Sequence, residues 1–405
     1  MAISVEKQLM IKELELSSLF ETIDAINGNA SEDNLFKLFK LTVTSNPNVK
    51  SLLLFVTDDQ GDWKCVTSHG SSKDLKEWRL PKACLKYTEP SNFDCEEGDF
   101  SGFDMIIPVL HKQQSLAYVL IEKEPVPATE EKLTVNFIEA LANIIIVAVE
   151  NKKFARREAR QREYRKQLEI ARNVQSFLFP KELPNGDELS VAASYLPHHT
   201  IGGDYYDFIQ IDEDRFLMCI ADVSGKGIPA AILMSNFQGG VRTLVRQESK
   251  LDYIVKELNR LIMENAQGEN FITAFLMIYD KSSRTLSYVN AGHNPPFLFR
   301  GGEFGRLEAG TTIIGSFKTL PFLEKGIIEN IDDFFVFCFT DGFTETYNDQ
   351  GEELGDEQLL KFLEANIHLD QQSLHKNMIA HLNTFKGHQA YADDITLLSC
   401  RVKLP

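Results

Sequence analysis

Acidic residues beside apolar segments are the feature of this sequence that most restricts its fold. At four separate points, an aspartate stands where a strand-like apolar segment begins or ends. These residues are Asp204 with Asp207, Asp222, Asp341, and Asp393 with Asp394. If the strands lie side by side in one core, the carboxylates converge, and converging carboxylates repel one another unless a cation lies between them. The pattern therefore predicts a site for hard divalent metal ions with oxygen ligands.

A simpler interpretation applies to each fragment alone. Asp-Gly after a strand, as at Asp341-Gly342, is typical of a tight turn. The four fragments together, with neighbouring glycines that let the backbone approach an ion, favour the metal interpretation. Histidine and cysteine do not accompany these aspartates in a ligand pattern, which argues against zinc.

The second half of the chain groups its strands and helices instead of alternating them strictly. Strands are predicted at 189–195, 206–210, 215–221, 271–279, 286–290, 297–300, 334–339 and 395–398, and helices at 229–246, 251–265, 356–365 and 372–385. This grouping predicts an α+β fold with two packed antiparallel sheets flanked by helices.

Six fragments in this half carry a family resemblance. They are IGGDYYD at 201–207, DVSGKGIPAA at 222–231, FITAF at 271–275, NAGHNPP at 290–296, TDGFTE at 340–345 and DDIT at 393–396. In this order they resemble the motifs of the PPM-type (protein phosphatase 2C-like) serine/threonine phosphatases, in their bacterial SpoIIE/RsbU branch. The resemblance implies an αββα sandwich over residues 181–405. It also implies a metal-dependent phosphatase that hydrolyses phosphoserine or phosphothreonine with an activated water.

The resemblance implies a role for each ligand position. Two divalent ions, Mn²⁺ or Mg²⁺, would share the carboxylate of Asp222, and the carbonyl of Val223 would add an oxygen ligand. Asp204 would complete the ligand set of one ion, while Asp341 and Asp393 would complete that of the other. The two ions would lower the pKa of a shared water, so that hydroxide exists near neutral pH. This hydroxide would attack the phosphoryl group directly, without a phosphoenzyme.

Four further residues near these motifs have less direct assignments. Asp394 is a further candidate ligand at a position that many relatives fill with asparagine. Asp207 is expected to support the ligands or the structure. Lys226, beside a helix N-terminus, either holds the phosphoryl group or is a surface lysine in a glycine turn. His293 is expected to brace a turn.

The first part of the chain predicts a second domain. Helices are predicted at 4–27 and after the capping residue Ser31, a hairpin at 51–56 and 63–68, and a strand pair at 105–110 and 116–121, before a closing helix near Thr129. This order resembles a GAF domain, an α/β sensor module of bacterial signalling proteins, over residues 1–150. The resemblance implies control by an unidentified small-molecule or protein signal.

A helical pattern then runs from Ala140 to about Leu178, and residues 151–180 are predicted to form a linker. Two interpretations are open: a solvated helix with a basic face, or a parallel dimeric coiled coil that carries a signal between the domains. The coiled coil would make the chain a homodimer. Its two core rows would be Phe154, Gln161, Leu168 and Gln175, and Arg157, Tyr164, Ala171 and Leu178.

Composition limits the possible partners. The 405-residue chain has a formal net charge of −17, which disfavours nucleic acid and anionic membranes as partners. The apolar run at 137–149 is too short to span a bilayer, and the N-terminus lacks signal-peptide architecture, so the cytoplasm is expected. Six cysteines without a Cys-x-x-Cys pair are expected to be reduced.

The sequence therefore predicts a cytoplasmic sensor phosphatase. By resemblance, its substrate is a phosphorylated anti-anti-sigma protein of the STAS type, in a circuit that regulates a sigma factor. Two alternatives belong to other classes. One is a catalytically inactive module of the same fold that only binds its partner. The other is a phosphohydrolase that acts on small molecules or nucleotides.

Overall fold

The fold was examined in a computed structural model, which describes residues 5–58, 60–71, 73–94, 98–111, 114–248 and 250–404. The chain forms two compact units, Met1–Arg162 and Glu163–Pro405. Cys95 lies outside the described residues, as does part of the predicted turns at 58–62 and 111–114.

The first unit is one antiparallel sheet between helices and a layer of loops. Its strands are β1 Val49–Thr57, β2 Trp63–His69, β3 Ser91–Asn92, β4 Met105–His111 and β5 Gln114–Lys123, in the sheet order β2-β1-β5-β4-β3. Its helices are α1 Val5–Asn27, α2 Glu32–Thr44 and α3 Ala128–Ser176, the last of which continues into the second unit. The predicted helices and strand pairs are confirmed.

Local sequence explains the ends and buried faces of these elements. The Ser31 hydroxyl accepts a hydrogen bond from the amide of Asn34, which caps α2 as predicted. Leu35 and Phe39 from α2, together with Ile138 and Ile145 from α3, are fully buried against the sheet. On the opposite face, a mainly aromatic cluster covers the strands, with Trp78, Phe93, Phe100 and Phe103 among its members.

Helix α3 is a single helix of 49 residues, so the predicted closing helix and linker helix are continuous. Part of α3 is apolar and long enough to cross a membrane by composition, and half of that stretch is buried inside the structure. Its apolar side chains, including Leu141 and Val149, pack into the core of the first unit. The apolar stretch is therefore explained by the core of the first unit.

The described residues of the second unit form eleven strands and five helices besides the end of α3. The strands are β6 Leu189–Leu196, β7 Tyr205–Gln210, β8 Arg215–Val223, β9 Ile272–Asp280, β10 Thr285–Ala291, β11 Phe297–Arg300, β12 Glu303–Arg306, β13 Gly310–Thr311, β14 Gly326–Ile328, β15 Asp333–Phe339 and β16 Ile395–Lys403. The helices are α4 Ile228–Gln247, α5 Leu251–Ala266, α6 Asp341–Thr344, α7 Gly355–Asn366 and α8 Gln371–Lys386.

These strands form the two packed sheets that the sequence predicted. The first sandwich sheet has the order β13-β10-β9-β8-β7, with β14 also paired to β10, and the second has the order β12-β11-β15-β16-β6. Phe216 and Phe275 of the first sheet share a buried cluster with Val336 and Leu398 of the second. Helices α4 and α5 cover the first sheet, and α7 and α8 cover the second. The result is an αββα sandwich.

The structure differs from the sequence prediction in several respects. Strand β16 runs to Lys403 instead of ending at residue 398. The short strands β12, β13 and β14 and the short helix α6 were not predicted, because two to four residues carry too little periodicity. Strand β8 extends through Asp222 to Val223 instead of ending at residue 221. Gln175, expected in the coiled-coil core, is buried within the second unit, and Leu178 packs against that unit's core. Each of these residues is the last member of one of the two predicted core rows, so neither row extends to its last residue.

Five of the six cysteines lie in the described part of the chain, and all five are buried and outside any disulfide: Cys65, Cys84, Cys219, Cys338 and Cys400. For these five, the expectation of reduced thiols is confirmed. Burial also raises the pKa of the Cys65 thiol to about 12, so this thiol is a poor nucleophile at neutral pH.

Candidate active site

Five of the aspartates predicted as metal ligands lie close enough together to affect one another's charge, and both sheets contribute. Asp204 precedes β7 and Asp222 lies near the end of β8, where it faces Thr273 of β9. Asp341 opens α6 directly after β15, and Asp393 lies just before β16. Because β15 and β16 are paired neighbours, the last two carboxylates reach the same edge of the second sheet.

Asp204 is held from behind by two hydroxyl groups. Its side chain is buried, and its Oδ2 atom accepts hydrogen bonds from Thr340 Oγ1 at 2.9 Å and Thr396 Oγ1 at 2.5 Å. Thr340 Oγ1 also accepts a hydrogen bond from the Thr396 amide at 2.9 Å, which joins the two threonines. This network fixes one carboxylate oxygen of Asp204 and leaves the other for a ligand or for Asp222.

The carboxyl groups of the cluster hinder one another's ionisation. Burial raises the pKa of Asp204 well above its ordinary value, and the charge of Asp222 raises it further. Burial also raises the pKa of Asp222, to about 7, and repulsion from Asp341 adds to the effect. The pKa of Asp341 is raised by burial and then by the charge of Asp393. A divalent cation among these groups would remove the repulsion and favour their ionised forms.

Asp393 has a different environment, because a lysine of the chain reaches it. Lys226 Nζ lies 2.8 Å from Asp393 Oδ2 and also donates a hydrogen bond of 2.8 Å to the carbonyl of Ala392. Both side chains are nearly half exposed, at 48% for Lys226 and 44% for Asp393. This half of the cluster is therefore open to solvent and carries its own positive charge.

Asp394 holds the loop that leads to Asp204. Its Oδ1 accepts the His198 amide at 2.7 Å, and its Oδ2 accepts the Gly203 amide at 2.8 Å. A Cβ atom at Gly202 would lie 2.1 Å from Asp394 Oδ2 and 2.2 Å from the Tyr195 hydroxyl, so the close approach requires glycine there. Loop anchoring is thus the observed role of Asp394, and its role as a metal ligand stays a prediction.

The donor set of the cluster fits hard divalent cations. Every donor is a carboxylate or carbonyl oxygen, and the carbonyl of Val223 faces Gly203, where a Cβ atom would approach it to 2.9 Å. In the part of the chain that the structure describes, no group of three acidic, histidine or cysteine side chains has an arrangement that could hold a metal ion. Two of the carboxylates have other partners in this structure: Asp393 Oδ2 pairs with Lys226, and Asp204 Oδ2 accepts hydrogen bonds from Thr340 and Thr396.

Asp207 takes no part in this cluster. It is fully buried and lies 2.7 Å from Arg242 Nε, while the Tyr205 hydroxyl donates to the same carboxylate at 2.5 Å. Arg242 belongs to α4, so the ion pair fastens that helix to β7. The expected supporting role of Asp207 is confirmed.

His293 links β9 to the turn that follows β10. Its Nδ1 is 3.0 Å from Thr273 Oγ1, and its backbone amide donates to Asn290 Oδ1 at 2.8 Å. Burial lowers the pKa of His293 from 6.5 to about 4, so the ring is neutral near pH 7. These contacts confirm that it braces the turn after β10.

The end of α3 touches the loop of the cluster. Gln175 Nε2 donates a hydrogen bond of 2.9 Å to the carbonyl of Gly202, two residues before Asp204. Just after the helix, the ring of Phe179 lies 5.2 Å from the Tyr195 ring and 4.9 Å from the Tyr206 ring. The last turn of α3 is therefore in direct contact with the segment that carries Asp204.

Sequence reasoning did not identify several residues that shape the site. Thr340 and Thr396 lie inside the quoted fragments TDGFTE and DDIT, one and two residues from an aspartate, and that proximity was the available signal. Tyr195, Arg242 and Gln175 carried no such signal, because their partners are distant in the sequence.

Comparison with known proteins identifies similar chains. The profile of the family described as Stage II sporulation protein E (SpoIIE) matches residues 212–403. Phosphoserine phosphatase RsbU of Bacillus subtilis (strain 168) is 32% identical over 252 residues, which cover 60% of this chain and 72% of RsbU. Phosphoserine phosphatase RsbP of the same bacterium is 29% identical over 184 residues, covering 44% of this chain and 45% of RsbP.

A solved structure shares the fold of the second unit. The SiaA-PP2C domain of Pseudomonas aeruginosa superposes with a TM-score of 0.54 at 20% identity, covering 60% of this chain and 99% of that domain. At this level of identity, the likeness establishes a common fold and nothing finer.

Proposed function

Because the chain belongs to the SpoIIE family of PP2C-type phosphatases, and is therefore a metal-dependent serine/threonine phosphatase, we propose that it dephosphorylates a regulatory protein in bacterial signalling. The observation that carries this proposal is the buried pair of Asp204 and Asp222, two carboxylates that repel each other. Such a pair is costly to retain unless a cation joins it during function.

Four carboxylates bind the ions in this proposal. Asp204, Asp222, Asp341 and Asp393 would hold two divalent cations, with Asp222 placed between the other carboxylates. When bound, two Mn²⁺ or Mg²⁺ ions supply positive charge at the phosphoryl group and lower the pKa of an attacking water. Thr340 and Thr396 orient Asp204 through its Oδ2 atom.

Two further groups complete the site. The Val223 carbonyl adds a neutral oxygen donor beside Gly203. Lys226, at the open edge of the site, assists in holding the phosphoryl group. Asp394 keeps the loop before Asp204 in place through two backbone amides.

The substrate is a phosphorylated protein. RsbU and RsbP are both named phosphoserine phosphatases, so phosphoserine is the first candidate for the residue that is dephosphorylated. We propose a STAS-type anti-anti-sigma protein as the partner, in a circuit that controls a sigma factor. The half-exposed Asp393 and Lys226 at the edge of the site suit a phosphorylated loop of a protein.

The first unit and α3 supply control in this proposal. The succession of two helices, an antiparallel sheet and a closing helix supports a GAF-like sensor domain that receives a small-molecule or protein signal. The Gln175 contact with Gly202 is the route by which a change in α3 would reach Asp204. We propose that the protein is a cytoplasmic homodimer that pairs through the first unit and through α3 before Gln175.

The catalytic proposal is tested by hydrolysis of an aryl phosphate and of phosphoserine peptides by the full chain with Mn²⁺. We expect chelator to abolish turnover and Asp222→Ala to abolish it in the presence of metal. Asp187→Ala, which changes an exposed aspartate of the same unit, is the matched control and should be fully active.

Two outcomes would contradict the proposal. Turnover of nucleotides or sugar phosphates in preference to every phosphopeptide would favour a small-molecule phosphohydrolase. Mn²⁺-independent binding of a phosphoprotein without any turnover would favour an inactive binding module.

The proposed dimer is tested separately. Sedimentation of the full chain as a monomer at micromolar concentration would contradict it.

A further inference from the structure

The loop between β8 and α4 places a lysine on one of the site's carboxylates. Lys226 stands between Gly225 and Gly227, whose φ angles of +92° and +73° are in the left-handed region that glycine favours. The loop directs Lys226 Nζ across the site to Asp393 Oδ2 and to the Ala392 carbonyl, each at 2.8 Å. A charged group of the chain thus neutralises one specific carboxylate of the cluster.

We propose that Lys226 is a built-in competitor for the divalent cation at Asp393, so that metal binding at this half of the site requires its ammonium group to move away. This inference rests on the proposed function, because it concerns the same metal ligands. It explains why the two metal positions should differ in affinity. It also assigns Lys226 a role that the family resemblance does not imply.

Electrostatics supports direct competition. An ammonium group 2.8 Å from a carboxylate oxygen occupies the space in which a divalent cation would bind at about 2.0 to 2.2 Å. The charge of Asp393 also acts on Asp341, so either cation there reduces the repulsion between these two carboxylates. The ammonium group and a divalent cation repel each other when both bind Asp393 Oδ2, so each weakens the binding of the other there.

In the other half of the site, no cationic side chain among the described residues acts on Asp204 or Asp222. Asp204 accepts hydrogen bonds from the hydroxyls of Thr340 and Thr396, and its nearest charged influence is the carboxylate of Asp222. A cation that binds Asp204 and Asp222 therefore displaces no ion pair. The two positions should differ in affinity, with the weaker one at Asp341 and Asp393.

Displacement also gives Lys226 a second position. Its side chain is 48% exposed, and the glycines on either side allow the loop to turn. Once released from Asp393, the ammonium group remains at the open edge of the site, within the region that a phosphoryl group must enter. The same lysine can thus oppose the second cation and then assist substrate binding.

The test is a calorimetric titration of the metal-free full chain with Mn²⁺, compared with Lys226→Gln and with Lys256→Gln. Lys256 lies exposed on α5, so its replacement removes the same charge from the same unit without touching the site. For wild type we expect one tight and one weak Mn²⁺ site. Lys226→Gln should strengthen the weak site on the order of fivefold, as expected for a partly exposed ion pair, and leave the tight site unchanged.

Kinetics gives a second readout of the same proposal. Lys226→Gln should saturate at lower Mn²⁺ than wild type, while the KM for a phosphoserine peptide rises. Lys226→Arg, which keeps the charge, should restore weak binding of the second Mn²⁺. Thermal unfolding of all variants without metal provides the check that each is folded.

The outcomes separate this inference from the function beneath it. If wild type binds and uses Mn²⁺ but Lys226→Gln titrates as Lys256→Gln does, the competition is overturned and the phosphatase assignment stands. If wild type binds no Mn²⁺ and shows no turnover, the metal-dependent function and the competition are both overturned. Equal strengthening of the two Mn²⁺ sites would also overturn the competition, because it would indicate a general charge effect.

Discussion

Asp204 and Asp207 lie three residues apart, and both are buried, with relative exposures of 1% and 0%. Their surroundings differ completely. Asp207 is paired with the guanidinium group of Arg242 at 2.7 Å, so its charge is balanced within the chain. Asp204 has two threonine hydroxyls behind it and the carboxylate of Asp222 beside it.

The difference distinguishes a structural carboxylate from a ligand. A buried charge that the chain itself neutralises stabilises one arrangement of helix and strand, and it has no capacity left for a foreign ion. A buried carboxylate that is oriented by neutral donors and faces another carboxylate leaves its charge to be balanced from outside. Asp393 lies between these cases, because Lys226 balances it but remains exposed and movable.

The largest effect that separates the two residues is expected from Asp204→Asn. Loss of this ligand should lower the turnover of a phosphoserine peptide at least about a thousandfold, or about 4 kcal/mol of transition-state stabilisation. The free energy of unfolding without metal should not fall, because the repulsion with Asp222 is removed. Steady-state kinetics and thermal unfolding measure the two quantities. A large loss of metal-free stability would show that Asp204 is structural after all.

The opposite result is expected at the ion pair. Arg242→Met leaves the buried carboxylate of Asp207 without its cation and should lower the free energy of unfolding by about 3 kcal/mol. The double variant Arg242→Met with Asp207→Asn should recover much of that loss. Denaturant unfolding of the metal-free chain is the measurement. Equal destabilisation by the single and double variants would mean that packing, not charge, explains the role of Arg242.

A smaller effect should come from the hydroxyls that orient Asp204. Thr396→Val removes the donor at 2.5 Å from Asp204 Oδ2 while keeping the shape of the side chain. We expect turnover to fall by about 10- to 100-fold, in line with about 1.5 to 3 kcal/mol for a hydrogen bond to a charged group. Thr384→Val, whose hydroxyl only contacts its own helix, is the matched control and should retain full activity.

The smallest effect concerns a third kind of buried group, a histidine without a charged partner. Burial lowers the pKa of His375 from 6.5 to about 3. The folded-state pKa of His375 lies below its unfolded value, so the unfolded chain binds a proton first as the pH falls. The folded state therefore keeps the full contribution of His375 above pH 6.5 and loses it progressively as the pH falls toward 3. We expect the free energy of unfolding to drop by about 1 kcal/mol from this residue between pH 6.5 and 5.5.

Unfolding of His375→Gln across this pH range checks the prediction, since the variant should show a smaller drop. The exposed His381 on the same helix supplies the control, and His381→Gln should follow wild type. Identical pH profiles for wild type and His375→Gln would assign the acid sensitivity to other groups.

Much of the fold follows from local sequence. Ser31 caps α2, as the following Glu32 and Asp33 led us to expect, and the apolar segments of the second unit became the paired strands of two sheets. The grouping of these segments predicted the sandwich because each sheet needs one covered and one packed face. The strands β12 to β14 escaped prediction, since such short strands depend on their partners for their existence.

The extent of the coiled-coil core could not be read from the helix alone. Gln175 fits a core row by its spacing, but its side chain is buried against the loop at Gly202 instead of a second helix. Periodicity shows which face of a helix is apolar or polar. It does not show which surface that face will meet.

The sequence by itself determined that aspartates would stand at strand ends, that glycines would let the backbone pass close to them, and which apolar segments would become strands. Only the tertiary structure decided which aspartate received which neighbour. Arg242 lies 35 residues from Asp207, and the two threonines lie 136 and 192 residues from Asp204. The physical reason is that the charge state of a buried carboxylate depends on the few atoms in contact with it, and packing brings those atoms from distant parts of the chain.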